Sequence, residues 1–178
     1  MAEKQIAVWE VYDLQRTCRL NARYWTARLA KEERKSFCIE FAMAFTAPGS
    51  AIAGLVFWKT DSGKEVWSAL MLVTAVLGVA KPLLKLPDRI RTLHKVVAGY
   101  RALEQPLEEL RNEILRERAY TAQLVKTYQQ LHRQFHDVSR DEPVENVDTA
   151  LRAQCYQSVK DELPESSFFI PVSEEPKA

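Results

Sequence analysis

The chain has 178 residues, of which 28% are charged, and this length accommodates one domain or a small domain with tails. A formal net charge of +1 creates no field strong enough to suggest nucleic acid as a bulk electrostatic partner. The three cysteines, Cys18, Cys38 and Cys155, are widely spaced and form no CxxC motif, which argues against a disulfide framework and against a zinc site.

The N-terminal segment, residues 1–39, is predicted to form one cytoplasmic helix. It carries aromatic residues such as Tyr12 and Trp25, and residues 6–39 contain neither proline nor glycine. Charged and apolar residues alternate through the first thirty positions, so the uninterrupted apolar stretch of a cleaved signal peptide is not expected. The helix should continue without a break into the next segment.

Two runs without charged residues follow almost back to back, at residues 41–58 and 66–80, with residues 59–65 as the expected turn. As helices they would measure about 27 Å and about 22 Å, and apolar residues extend the second towards position 84. The pattern predicts a two-helix transmembrane hairpin over residues 40–86, with spans near 41–58 and 66–84. A helical hairpin buried in a soluble bundle is the alternative, because the second run is also short enough for a core helix.

Basic residues flank this hairpin on both outer sides, whereas the charges of the turn balance. The positive-inside rule therefore predicts that both termini are cytoplasmic. Glu40 and Lys81 should lie at similar depth at the inner boundary. There they either pair with each other or form charged rings at a cytoplasmic mouth.

One face of the first span carries small residues, which allow helices to approach closely in lipid. This face either packs against the second span or lines a pore between subunits; its members are Ala42, Thr46, Gly49, Ser50 and Ala53. Phe57 lies near the outer end of the same face and could form a hydrophobic constriction. Pro48 is either a gating hinge or a tolerated membrane proline.

A long cytoplasmic helix is predicted over residues 87–136, with Asp88 as its expected N-cap. Apolar residues recur at alternating steps of four and three, interrupted by Glu117 and Thr121; they are Val96, Tyr100, Leu103, Leu107, Leu110, Ile114, Leu124, Tyr128, Leu131 and Phe135. This repeat is typical of a coiled-coil seam between copies, and an intrachain bundle with the N-terminal helix is the alternative. Either a helix ends near Leu103 and a new one starts with Pro106 in its first turn, or one helix kinks at Pro106. The surviving heptad phase favours a kinked or closely stacked continuation.

Residues 137–178 are predicted to contain a linker, a short helix and a flexible tail. The short helix should be capped by Asp148 and end before Pro164. Phe168, Phe169 and Ile170 are either apolar anchors that dock on the bundle or a partner, or part of a disordered tail.

The sequence carries no recognisable catalytic constellation. It has no phosphate-binding glycine loop, no GxSxG motif and no HExxH motif. His132 and His136 stand four apart, as helical metal ligands would, but no carboxylate or thiol partner is evident beside them. We therefore expect neither an enzyme nor a bound metal or cofactor.

The arrangement as a whole resembles a known family. The likeness lies in a two-span hairpin and the segments on either side of it. The residues that carry it are Tyr12, the run RYWTAR at residues 23–28, the short turn at residues 59–65 and residues 100–110. Together they resemble the SLATT domain, the two-transmembrane effector domain of bacterial nucleotide-signalling and antiphage operons. The resemblance covers about Trp9 to Phe135 and is to stand-alone members, including those of Hailong-type defence.

This resemblance implies an all-α, homo-oligomeric ion channel of the bacterial inner membrane, with a tetramer as one option. A nucleotide or oligonucleotide made by a partner nucleotidyltransferase would gate this pore-forming effector, and opening would depolarise the membrane. For direct binding of the nucleotide, the candidates are the basic residues Arg101, Arg111, Arg116 and Arg118. The alternatives are a non-conducting membrane-anchored scaffold that recruits a cytoplasmic partner through its helices, and a soluble helical interaction module.

Overall fold

The structure, a computed structural model, describes residues 2–45, 61–144 and 146–169. Within these ranges the chain is helical with short connections and has no strand, which confirms the all-α class. The helices are α1 (Ala2–Phe45), α2 (Asp61–Leu84), α3 (Leu86–Glu117), α4 (Ala122–Arg140) and α5 (Thr149–Glu162), followed by a 3-10 turn at Glu165–Ser167.

These helices form two compact units. Residues 1–27 and 92–178 make one unit, here called the bundle, and residues 28–91 make the other, here called the inserted unit. Both α1 and α3 contribute residues to each unit. As the sequence predicted, α1 continues past residue 39 and reaches Phe45.

The core of the bundle is built from the heptad residues of the sequence. Val96, Tyr100, Leu107 and Ile114 are completely buried within a single chain, and Leu124 and Leu131 of α4 are buried as well. The same core takes in Tyr12, Val8, Val11 and Cys18 from α1 and Val159 from α5. Since these positions are already covered, they cannot form a coiled-coil seam with a second copy. Of the two alternatives, the intrachain bundle is the one found.

Pro106 lies inside α3, so the continuous helix that the heptad phase favoured is confirmed. Proline cannot donate a hydrogen bond to the carbonyl of residue 102, one turn earlier. Ala102 is exposed, so water can solvate that carbonyl in place of the missing donor.

The single helix predicted over residues 87–136 is wrong, because the structure contains two helices there. Arg118 has a φ of 53° and ends α3, and Thr121 caps α4 by accepting a hydrogen bond from the Leu124 amide at 3.4 Å. The polar interruption of the heptad at Glu117 and Thr121 marks this corner. Without apolar side chains to bury there, helix packing gives no reason to continue, and a threonine favours a new N-terminus.

Two further helix boundaries differ from the sequence predictions. α2 begins at Asp61, so residues 61–65 of the expected turn are helical, and aspartate is a residue type that suits a helix N-terminus. α3 begins at Leu86 after Lys85, whose φ of 45° breaks the chain direction, so Asp88 lies in the first turn rather than at the cap.

At the C-terminal end the predicted short helix is confirmed. α5 begins after Asp148, whose carboxylate accepts a hydrogen bond from the Leu151 amide at 3.1 Å. The preceding α4 extends to Arg140, so the linker is shorter than expected and starts at Asp141.

Candidate functional site

A polar cavity of about 320 Å³ opens in the bundle, where α1, the end of α4 and the connection to α5 meet. Its wall includes an amide and an aromatic pair from α1, a hydroxyl from the end of α4, a carboxylate from the following loop and a guanidinium from α5. In that order they belong to Asn21, Tyr24, Trp25, Ser139, Glu142 and Arg152. All of these residues belong to the bundle.

The carboxylate of Glu142 is held in position from two sides. Its Oε1 atom accepts a hydrogen bond from the Tyr100 hydroxyl at 2.5 Å and another from the Trp25 indole Nε1 at 2.9 Å. No hydrogen bond to Oε2 is found among the residues that the structure describes. The cavity therefore contains a fixed carboxylate with one acceptor oxygen left over.

Of the two donors to Glu142, the Tyr100 hydroxyl lies closer to the carboxylate. Burial of the ring and the hydrogen bond to Glu142 raise the pKa of Tyr100, while hydrogen bonding to Ser139 and Asn21 opposes the rise. The Ser139 Oγ atom lies 3.0 Å from the hydroxyl. Tyr100 therefore keeps its proton at neutral pH and serves as the donor that orients the carboxylate.

The aromatic wall of the cavity is tied to α5. The rings of Tyr24 and Trp25 meet edge to face, with centroids 5.0 Å apart. The Tyr24 hydroxyl accepts a hydrogen bond from the backbone amide of Asp148 at 3.1 Å, immediately before α5 begins. One turn into that helix, the exposed side chain of Arg152 makes no hydrogen bond or ion pair with the described part of the chain.

The four arginines predicted for nucleotide binding do not gather at this cavity. Arg101 donates to the Thr26 hydroxyl at 3.3 Å, and Arg116 lies 3.9 Å from Glu113 on the same helix. Arg111 is partly buried, and its Nε has no hydrogen-bond partner among the described residues. Arg118 lies over the ring of Phe169, 4.9 Å from its centroid.

The C-terminal segment docks on α1, as the anchor alternative predicted for Phe168 and Phe169. The Phe168 ring stacks on Tyr12 with centroids 4.2 Å apart, and the Tyr12 hydroxyl donates to the Phe169 carbonyl at 2.7 Å. Burial raises the pKa of Tyr12, and this hydrogen bond and the charge of Arg111 oppose the rise. Ile170, the third expected anchor, lies outside the described residues.

In the inserted unit, Glu40 and Lys81 form the ion pair that was one of the two alternatives, at 3.5 Å. Ala42 is a partly buried residue of α1. The other residues predicted for a pore face, constriction or hinge lie outside the described residues; they are Thr46, Pro48, Gly49, Ser50, Ala53 and Phe57.

The described part of the inserted unit also exposes several large apolar side chains. Of the eleven large apolar side chains that are exposed among the described residues, eight belong to this unit. Leu72 is 68% exposed, Val76 60% and Val79 73%, all on α2, and Phe37 of α1 is 67% exposed. Within the described ranges, no helix combines the length and apolar character needed to cross a membrane.

Sequence reasoning did not find the cavity, although two of its residues lie in the run at 23–28. Trp25 and Glu142 are 117 positions apart, and Glu142 falls in a segment that reads as a charged linker. The one local sign was the aromatic pair Tyr24–Trp25 on a helix that is otherwise rich in charge. No protein family model, curated protein or solved structure matches this chain.

Proposed function

We propose that this protein is a pore-forming membrane effector of bacterial antiphage defence. In this proposal it is a homo-oligomeric ion channel of the inner membrane that a nucleotide or oligonucleotide signal gates. The observation that supports a location in the membrane is the concentration of exposed apolar side chains in the inserted unit. The pore, the signal and its synthesis by a partner nucleotidyltransferase rest on the resemblance to the SLATT domain.

The exposed side chains of α2 are costly in water. Leaving a valine or leucine side chain exposed rather than buried forfeits about 1.5–3 kcal/mol, and Leu72, Val73, Val76 and Val79 are all more than half exposed. Contiguous apolar surface of this kind marks a contact with lipid or with another protein. In the proposal, lipid covers this face and α2 is the second helix of a transmembrane hairpin.

Charge placement agrees with a hairpin whose ends face the cytoplasm. Basic residues precede the first apolar run and follow the second, and Glu40 neutralises Lys81 at 3.5 Å. Pairing lowers the cost of placing either charge near the hydrocarbon boundary. The pair is therefore compatible with the inner membrane interface, and it argues against separate rings of like charge formed by Glu40 or Lys81.

Oligomerisation is assigned to the inserted unit, because the heptad residues of α3 and two of those of α4, Leu124 and Leu131, are buried inside the bundle. A single hairpin cannot enclose a conduit, so several copies must gather for conduction. The small residues of the first run, such as Gly49 and Ser50, are the residue types that let membrane helices approach closely.

The buried heptad also favours a second candidate function. Without a cytoplasmic coiled coil to hold copies together, the protein could act as a membrane-anchored scaffold that recruits a partner through its helices and conducts nothing. This scaffold shares the membrane hairpin with the channel, and the absence of conduction is the property that distinguishes it in a recording.

Two measurements test these functions in order. Carbonate extraction should leave the full-length protein in the membrane pellet, whereas a monodisperse monomer purified without detergent would overturn the membrane proposal. Purified protein reconstituted in planar bilayers should then show unitary current steps, with cytosolic nucleotides such as ATP and cyclic AMP added in turn. Reconstituted protein that never conducts would overturn the channel and support the scaffold.

A further inference from the structure

We propose that the cavity of the bundle binds a nucleotide whose base carries an exocyclic amino group, with the amino group on Glu142 and the phosphate on Arg152. That this binding gates a pore rests on the proposed function. The binding itself is argued from the cavity.

The size of the cavity suits one nucleotide. Small-molecule sites occupy roughly 300–1,000 Å³, and a volume of about 320 Å³ lies at the lower end of that range. Three separate segments of the chain form the wall, as is common for sites that recognise a ligand by several groups at once. A longer oligonucleotide would place a single residue in this space.

Glu142 determines which edge of a base can enter. Its Oε1 atom already accepts two hydrogen bonds, from Tyr100 and Trp25, so it is fixed and occupied. The remaining oxygen can only accept, which matches the exocyclic amines of adenine, cytosine and guanine. Uracil presents carbonyl oxygens on both sides of its single N–H, and the carboxylate would repel them.

The rim of the cavity favours a planar ring over a flexible polar ligand. The connection between α4 and α5 carries Val144 and Val147, two exposed apolar side chains that border the cavity. Tyr24 and Trp25 add aromatic surface to the lining of the same cavity, so a bound base would cover apolar side chains there. These groups account for the affinity of a heteroaromatic ring.

Arg152 supplies the group that a phosphate needs. It is exposed at the cavity rim, and no described residue pairs with its guanidinium. A guanidinium binds phosphate oxygens through two parallel hydrogen bonds, which also fixes the orientation of the ligand. With a carboxylate inside and a guanidinium at the rim, the base must point inward and the phosphate outward.

Isothermal titration calorimetry on the full-length protein in detergent micelles tests the assignment, with AMP, adenosine and UMP as probes. Wild-type protein should bind AMP at least about tenfold more tightly than UMP. Arg152→Gln should weaken AMP binding about tenfold and leave adenosine binding unchanged. The matched control is Arg133→Gln, which removes an exposed arginine of α4 that does not line the cavity and should change neither.

Glu142→Gln provides the sharpest test, because the amide keeps one oxygen for Tyr100 and Trp25 and turns the other position into a donor. This variant should reverse the preference and bind UMP more tightly than AMP. Far-ultraviolet circular dichroism checks that the bundle has folded. A folded variant that still prefers AMP, equal binding of AMP and UMP by wild-type protein, or no heat with millimolar AMP would each overturn the inference.

Conductance recorded on the same preparation separates the two proposals. Protein that conducts but does not bind AMP would overturn the site and keep the channel. Protein that binds AMP selectively but never conducts would keep the site and overturn the channel.

Discussion

Tyr100 of α3 forms contacts with α1, with α4 and with the loop that follows α4. Its hydroxyl donates a hydrogen bond to Glu142 and lies beside the Ser139 hydroxyl. Its backbone carbonyl accepts a hydrogen bond from the Cys18 thiol of α1 at 3.3 Å. The side chain is completely buried, so a hydroxyl without these partners would be costly. Tyr100 thus links the core of the bundle to Glu142 in the cavity wall.

Tyr100→Phe should lower the free energy of unfolding by about 1–3 kcal/mol at pH 7, because a hydrogen bond to a carboxylate is lost. Urea unfolding followed by circular dichroism measures this loss. Tyr156→Phe is the control, since Tyr156 is 54% exposed, and it should change stability by less than about 0.5 kcal/mol. Equal losses in the two variants would contradict the role of the buried hydroxyl.

The same variant should change the alkaline limit of stability. The pKa of Tyr100 is raised above its ordinary value of 10.0, so the folded state retains this proton more strongly than the unfolded state. The associated stability is present below pH 10 and is lost as the pH rises further. Tyr100→Phe should therefore lose less stability above pH 10 than wild-type protein does. Part of the loss remains in the variant, because burial raises the pKa of Cys18 to about 12.

Among the elements, α3 and α4 come into close contact where Gly99 faces Val138. A Cβ atom built at this position would lie 2.8 Å and 2.9 Å from the two methyl groups of Val138. Valine is branched at Cβ and cannot swing its methyl groups aside cheaply. The glycine therefore sets the spacing between these two helices.

Gly99→Ala should destabilise the protein, although alanine in place of glycine favours a helix by about 1 kcal/mol. Overpacking against Val138 costs about 1–3 kcal/mol and outweighs that gain. Adding Val138→Ala to this variant should restore stability, as thermal unfolding would show. Gly78→Ala is the control, because a Cβ there meets nothing within 4 Å. A stabilising Gly99→Ala would contradict the close approach.

For the whole molecule, the main feature is the difference between the surfaces of its two units. Among the described residues, the bundle exposes three large apolar side chains, whereas α2 in the inserted unit exposes several, including Val73 and Val76. A charge placed in water on such a surface costs little, but a charge in the hydrocarbon core of a bilayer costs about 2.5–3.5 kcal/mol on insertion scales. Charged substitutions therefore report which medium covers α2.

The double variant Val73→Lys and Val76→Lys should leave the membrane pellet, or fail to accumulate there, after carbonate extraction. The control is Ala102→Lys, which adds the same charge to an exposed position of α3 in the bundle and should stay in the pellet. Retention of the double variant at the wild-type level would show that α2 does not lie in lipid.

The sequence by itself determined the features that depend on near neighbours. Helical class, the apolar face of α3 and the cap of α5 at Asp148 were all predicted and are found. Each depends on residues within about four positions, through periodicity or a side-chain hydrogen bond to a nearby amide. The corner at Arg118–Thr121 was only half foreseen, as a polar interruption of the heptad.

Only the tertiary structure decided what covers those apolar faces. A heptad seam buries equally well against another copy or against helices of its own chain, so periodicity cannot choose between the two. In the structure, the heptad residue Tyr100 contacts Cys18 and Glu142 of its own chain, so the intrachain alternative is the one found. The cavity likewise depends on Trp25 and Glu142, which only folding brings to a hydrogen-bond distance of 2.9 Å. No local pattern encodes such a meeting, because the residues between them set it collectively.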